Sequence, residues 1–151
     1  MGLLIGSDQG RSAYKKKLEQ QIKSLGMENH IKLLGHCDDM PTAYTLADIV
    51  VSASTDPEAF GRVVAEAQAM GKPVVLANHG GGVEQVIPDK TGWLFSPGDP
   101  GALSETLQKV IDIERHNKTK LSNIAINRVQ NLYSKTSMCS ATLDIYTELR
   151  K

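Results

Sequence analysis

Residues Ile49–Ala77 read IVVSASTDPEAFGRVVAEAQAMGKPVVLA, and this stretch decides the fold. It opens on Ile49-Val50-Val51-Ser52-Ala53, a short β-branched run that reads as a strand. It closes on Pro73-Val74-Val75-Leu76, a second short apolar run, which reads as a buried strand. Between them Pro57 to Met70 predicts a helix, with Asp56 as N-cap, Pro57 in the first helical position and Gly71 as the stop. Strand, helix, strand with near-continuously apolar strands is the repeating unit of a parallel sheet.

The same alternation extends outward. Leu3-Leu4-Ile5-Gly6 and Ile31-Lys32-Leu33-Leu34, ending at Gly35, read as upstream strands, and Trp93-Leu94-Phe95 as the last one. Tyr14, Leu18, Ile22 and Leu25 recur at helical spacing before Gly26, and Pro41 to Leu46 is a short helix. Val83 to Ile87 allows one or two helical turns. All thirteen Gly and six Pro lie at or before position 101. Beyond it come three amphipathic stripes: Leu103, Leu107, Val110 and Ile111; then Leu121, Ile124, Ala125, Val129 and Leu132; then Met138, Ala141, Ile145 and Leu149. The expected fold is α/β, a parallel sheet with helices on both faces over residues 1–100, and a helical tail over 101–151 packed on the same domain. The last helix packs either on its own sheet or on a partner. Ligands of such sheets bind at the carboxyl ends of the strands, so the loops after Gly6, Gly35, Ala53 and Ala77 are the ones to inspect.

Composition narrows the function. The chain has 151 residues, 40% hydrophobic and 23% charged, the size and balance of one globular domain. Its 17 basic and 17 acidic residues cancel, which argues against nucleic acid or an anionic membrane as a partner held by bulk charge. Two widely separated cysteines, Cys37 and Cys139, fit a reducing compartment and give no zinc motif. Apolar runs are too short for a transmembrane span or a secretion signal. The four histidines lack H-x-E or H-E-x-x-H spacing, and no G-x-S-x-G occurs.

The chemistry concentrates between Thr55 and Ala67. Amides near Ala59 to Arg62 would form an anion-accepting helix start, and Gly61 lets a ligand approach the backbone. Glu66 lies about 90° on the wheel from the face made by Val63, Val64, Ala67 and Met70. A carboxylate on a helix packed on several sides must face a cleft, pair, or lose its charge. In one continuous helix Glu58 and Glu66 would be about 12 Å apart, a span for two ends of an extended ligand and too long for an acid/base pair on one bond. Two plainer readings stay open: Thr55 and Glu58 as a capping box, and Arg62 with Glu66 as a surface i,i+4 ion pair. Gly80-Gly81-Gly82 either cradles phosphate or permits a tight turn, and His79 reads as a solvated loop residue.

These segments together resemble the C-terminal, nucleotide-sugar-binding domain of GT-B glycosyltransferases of the retaining family 4. The resemblance runs from Leu3 to about Leu107. It is carried, in order, by Ile5-Gly6-Ser7-Asp8-Gln9-Gly10, Leu34-Gly35-His36-Cys37-Asp38-Asp39-Met40-Pro41, Ala47 to Ser54, the E-x7-E pair Glu58 and Glu66, Glu66 to Val75, Gly81 to Glu84, and Thr91 to Pro100. It implies a Rossmann-like core over residues 1–100 that binds a nucleotide-diphosphate sugar, UDP- or GDP-linked, as donor substrate, without a metal or other cofactor. It implies that Glu66 accepts hydrogen bonds from ribose hydroxyls and that Glu58 is the catalytic-site carboxylate beside the donor hexose. Amides at Phe60 and Gly61 would meet sugar and diphosphate, the loop at His36, Cys37 and Asp39 would pack on the base edge, and Gly6 would lie in the turn after the first strand.

The chain also departs from the family pattern. An acceptor-binding domain, and a first strand followed by an Arg and a Lys that hold the diphosphate, are expected upstream and are not read before Met1. Arg62 stands where the family has an aliphatic residue, and is a candidate substitute cation. An absent central strand would let two strands close up or invite a second copy of the chain. The reading is therefore the donor half of a retaining hexosyltransferase, inactive in isolation, with a partner domain holding the acceptor. Its expected location is cytoplasmic, peripheral at the inner membrane face through that domain. The alternatives are a non-catalytic nucleotide-binding or interaction remnant, and a sugar-nucleotide epimerase.

Overall fold

The computed structural model describes residues 1–113 and 115–150, with the side chains of 115 and 116 also left aside. The elements run β1 (Gly2–Ile5), α1 (Ser12–Ser24), β2 (Ile31–Gly35), α2 (Met40–Leu46), β3 (Val50–Ser52), α3 (Arg62–Ala69), β4 (Val74–Ala77), α4 (Gly82–Gln85), β5 (Gly92–Phe95), α5 (Pro100–Ile111), α6 (Arg115–Leu132) and α7 (Lys135–Leu149). Every strand pairing is parallel, as the apolar strands predict, and the pairings form two sheets, β1-β2 and β3-β4-β5. The chain divides into two compact units, Met1–Ala43 and Tyr44–Lys151. That division differs in place from the core-and-tail division at residue 100, because α5 and α6 share the core of β4 and β5.

The first unit holds β1, α1 and β2. No residue in it is buried, and Leu3, Leu4 and Leu34 are exposed. Of the α1 stripe, Leu18 and Ile22 are half-buried, while Tyr14 and Leu25 stand in solvent. The Gly6 amide donates to the Gly35 carbonyl at 2.7 Å, which joins the carboxyl ends of the two strands.

The second unit has the core. β4 is central in its sheet and buried along its whole length. Val75, Ala77, Trp93, Phe95 and Val110 form one cluster, with Leu103, Leu107 and Leu121 packed against it. Each aliphatic side chain so buried contributes about 1.5–3 kcal/mol, and this layer is where the stability concentrates. Asp99 caps α5 by accepting the Ala102 amide at 3.0 Å, with Pro100 following it. Ser122 on α6 donates to the Gly71 carbonyl at 2.6 Å and ties α6 to the end of α3. In α7, by contrast, no residue is buried, and Met138, Leu143, Ile145, Tyr146 and Leu149 are exposed. Of the two packings expected for this helix, burial on its own sheet is absent. Among the described residues no helix is long and apolar enough to cross a membrane.

The deciding stretch folds differently from its pattern in one place. The helix begins at Arg62, and residues 57–61 form an irregular loop. Asp56 and Thr55 therefore cap nothing; the N-cap is Gly61, at φ 78° and ψ 62°, with no side-chain cap bond. The inner face also shifts: Val64, Ala65, Ala67 and Gln68 are buried, while Val63 and Met70 are exposed. The Gln68 amide nitrogen donates to the Gln85 carbonyl at 3.2 Å, while its buried Oε1 has no partner among the described residues.

Candidate functional site

The candidate residues divide between the two units. Gly6, His36, Cys37 and Asp39 lie in the first, and Glu58, Phe60, Gly61, Arg62 and Glu66 in the second. In the first unit, Gly6 and the start of the His36 loop share the carboxyl edge of β1 and β2. His36 Nε2 and Asp38 Oδ1 are 2.9 Å apart, both side chains open to solvent. Asp39 accepts the Thr42 amide at 3.1 Å at the start of α2. Hydrogen bonds from Thr42, side chain before backbone, hold the Asp39 carboxyl below the usual carboxylate range. Asp39 is thus an N-cap, and Cys37 is half-buried with a free thiol.

In the second unit, the loops after β3 and β4 lock together at the carboxyl edge. Ser54 Oγ donates to Glu58 Oε1 at 2.8 Å, and the Gly81 amide donates to the Glu58 carbonyl at 2.9 Å. His79 Nε2 lies 2.8 Å from the Ser54 carbonyl. A carbonyl only accepts, so Nε2 carries the proton and donates. His79 is half-buried in this link between loops, not the solvated residue its position suggests. Two of the three glycines have a steric reason. A Cβ at Gly80 would meet the Glu58 nitrogen and oxygen at 2.8 and 2.7 Å, and one at Gly81 would overlap the Ala59 carbonyl. The Gly80-Gly81-Gly82 turn is where one backbone packs directly on the Glu58 loop.

The same loop is braced from behind. Gln85 Nε2 donates to the Phe60 carbonyl, and the Phe60 ring meets Tyr133 edge-on, centroids 5.8 Å apart. Arg128 on α6 donates to the carbonyls of Gln85 and Glu84, each at 2.9 Å, and so satisfies the end of α4. These contacts fix an exposed loop that has no helix of its own.

Glu66 sits one turn into α3, and its side chain is 38% exposed. Both oxygens are held: Tyr44 Oη donates to Oε2 at 2.9 Å, and Arg62 Nη2 donates to Oε1 at 2.9 Å. The i,i+4 ion pair is therefore real, and the capping box is not. Tyr44 is 5% exposed. Burial first, and then the hydrogen bond and charge of Glu66, push its hydroxyl up to about 12, against a weaker opposing effect of Arg62. Each carboxylate oxygen has two lone-pair directions, and its donor takes one of them. The continuous-helix separation of Glu58 and Glu66 no longer applies, because the helix spans only Arg62 to Glu66, about 6 Å of rise. Tyr44, Gln85, Arg128 and Tyr133 were not marked by sequence, and Ser54 and His79 were marked in other roles. Their partners lie 17–73 positions away except for Ser54 with Glu58, so no local spacing announces them. A cavity of about 270 Å³ opens at the opposite, amino end of β3–β5, lined by Asp48, Lys72 and Thr91 among others. The carboxyl-edge loops instead form an open shelf, with Glu58, Phe60 and Arg62 exposed.

The model of the family Glycosyl transferases group 1 matches residues 3–128. The D-inositol 3-phosphate glycosyltransferase of Corynebacterium efficiens is 29% identical over 148 residues, 97% of this chain and 34% of that protein. The crystal structure of a glycosyltransferase from Rickettsia africae superposes with a TM-score of 0.93 at 32% identity, over 99% of this chain and 40% of that one. Anabaena HepE in complex with UDP superposes at 0.89 with 34% identity, again over 97% and 40%, and HepE has also been solved with UDP-glucose. The chain thus spans about a third to two fifths of the length of these relatives.

Proposed function

The chain belongs to the group 1 glycosyl transferases, and from that premise we propose that it forms the donor half of a retaining hexosyltransferase using a nucleotide-diphosphate sugar. The observation that carries the reading is Glu66: a half-buried carboxylate fixed at both oxygens, one turn below a loop with exposed Glu58 and Phe60 and buried Gly61. A carboxylate held this way accepts two adjacent hydroxyls, such as a ribose diol. The loop above it meets the diphosphate and hexose. Glu58, anchored by Ser54 and by the Gly81 amide, orients the sugar hydroxyls while the glycosidic bond to the diphosphate breaks and a bond to the acceptor oxygen forms. HepE binds UDP and UDP-glucose, which favours a uracil base here. In this reading a partner domain holds the acceptor, in keeping with the chain's spanning 34% and 40% of the length of two of its relatives.

The test is calorimetric titration of the chain with UDP, GDP and ADP. One nucleotide binds, and Glu66→Ala strongly weakens its binding. If none binds, or if Glu66→Ala binds as tightly as the unmodified chain, the chain keeps the fold without the site.

A further inference from the structure

We infer that Arg62 is an exchangeable counter-ion: it neutralises Glu66 in the free chain and turns to the diphosphate once a nucleotide's ribose takes the carboxylate. The inference rests on the donor-site reading above and adds to it a source of positive charge beside the leaving group.

The two donors on Glu66 are unlike. Tyr44 has a buried ring and cannot leave Oε2. Arg62 has a side chain 85% exposed, and among the described residues Glu66 is its one hydrogen-bonding partner. A solvent-exposed helix pair of this kind exchanges readily. Two ribose hydroxyls that approach Glu66 compete with Arg62 at Oε1 and leave the Tyr44 bond intact.

Position adds to the argument. Arg62 is the first residue of α3, and its side chain now folds back along the helix toward Glu66. Turned the other way, the same stem carries the guanidinium over the helix start, beside Gly61 and the exposed Glu58–Phe60 loop. The two orientations differ by about one helical turn, about 5 Å, the scale on which ribose and phosphate are separated in a nucleotide.

Charge completes it. The loops leaving the carboxyl ends of β3, β4 and β5 cover residues 53–61, 78–81 and 96–99. They contain Asp56, Glu58 and Asp99 and no Lys or Arg. Arg62, the next residue after the first of these loops, is the nearest permanent cation in sequence to that edge. Arg128 is committed to the carbonyls of Glu84 and Gln85. A diphosphate leaving group develops negative charge that a guanidinium binds bidentately, and Arg62 is placed to supply it.

The experiment compares a nucleoside with its diphosphate, uridine with UDP and guanosine with GDP, by NMR titration of the unmodified chain, Arg62→Met, Arg62→Lys and Glu66→Ala. In Arg62→Met the diphosphate is expected to bind at least tenfold more weakly, while the nucleoside binds equally or a fewfold more tightly because Glu66 is released. Arg62→Lys is expected to restore part of the diphosphate preference. Equal weakening of nucleoside and diphosphate in Arg62→Met, or no weakening of the diphosphate, overturns the inference and leaves a surface ion pair. Failure of the unmodified chain to bind either ligand, or nucleoside binding unaffected by Glu66→Ala, overturns the donor-site reading itself.

Discussion

Replacing Tyr44 by Phe deletes one hydroxyl and keeps the buried ring, so it tests what that hydroxyl does for Glu66. The Oη–Oε2 bond is 2.9 Å long and ends on a carboxylate. Hydrogen bonds to charged groups contribute about 1.5–3 kcal/mol when buried. The Glu66 side chain is 38% exposed, so water replaces part of the lost donor, and about 1 kcal/mol is the expected effect. On nucleotide binding that is about a fivefold loss of affinity. The melting temperature should fall by a few degrees at most, since about 1 kcal/mol corresponds to roughly 2–4 °C in a domain of this size. The assay is a double-mutant cycle with Glu66→Ala, read by calorimetric titration with the nucleotide that the chain binds. The losses should be coupled: in the Glu66→Ala background, Tyr44→Phe should cost nothing further. Any residual binding too weak for calorimetry is read by NMR titration. If Tyr44→Phe alone leaves affinity unchanged, or if the two losses add, Tyr44 does not position Glu66 and the geometry has been misread.

Three other outcomes are expected. Tyr44 titrates at about 12 in the folded chain against its ordinary 10.0, so the stability it gives is complete below pH 10 and is lost as pH rises from 10 to 12. Denaturant melts should show the unmodified chain losing about 1–2 kcal/mol over that range relative to Tyr44→Phe. Gly81→Ala places a methyl against the Ala59 carbonyl with an ordinary φ, so a steric cost of about 1–3 kcal/mol should appear in thermal melts together with loss of nucleotide binding. Arg128→Met removes the charged donor from the Glu84 and Gln85 carbonyls, which keep Tyr133 Oη at 3.3 Å and Gln68 Nε2 at 3.2 Å, and a loss of about 1 kcal/mol is expected by denaturant melt.

The strands and most helices were legible because their signals are local. Val74–Ala77 is apolar at every position, and burial on both faces follows from that. Gly26 and Gly71 stop helices where the pattern predicts, and Asp99 with Pro100 starts one. The exception is the start of α3, where Thr55, Asp56 and Pro57 carry every sequence signal of a helix entry. The chain stays irregular for five residues more because Glu58 binds Ser54 and Gly81, and because the Phe60 carbonyl binds Gln85. Those partners offer the backbone more than an early helical turn would.

The sequence by itself determined the parallel α/β class, the strand positions and the pair of glutamates eight positions apart, because each follows from side-chain periodicity or from spacing along one segment. Tertiary structure decided the state of those glutamates. It set Tyr44 against Glu66, Gly81 and Ser54 against Glu58, and Gln85, Arg128 and Tyr133 behind the loop. Most of these contacts join residues distant in the chain through hydrogen bonds of fixed direction, and only the packed arrangement of α2, β3, α3, β4, α4 and α6 brings the partners together.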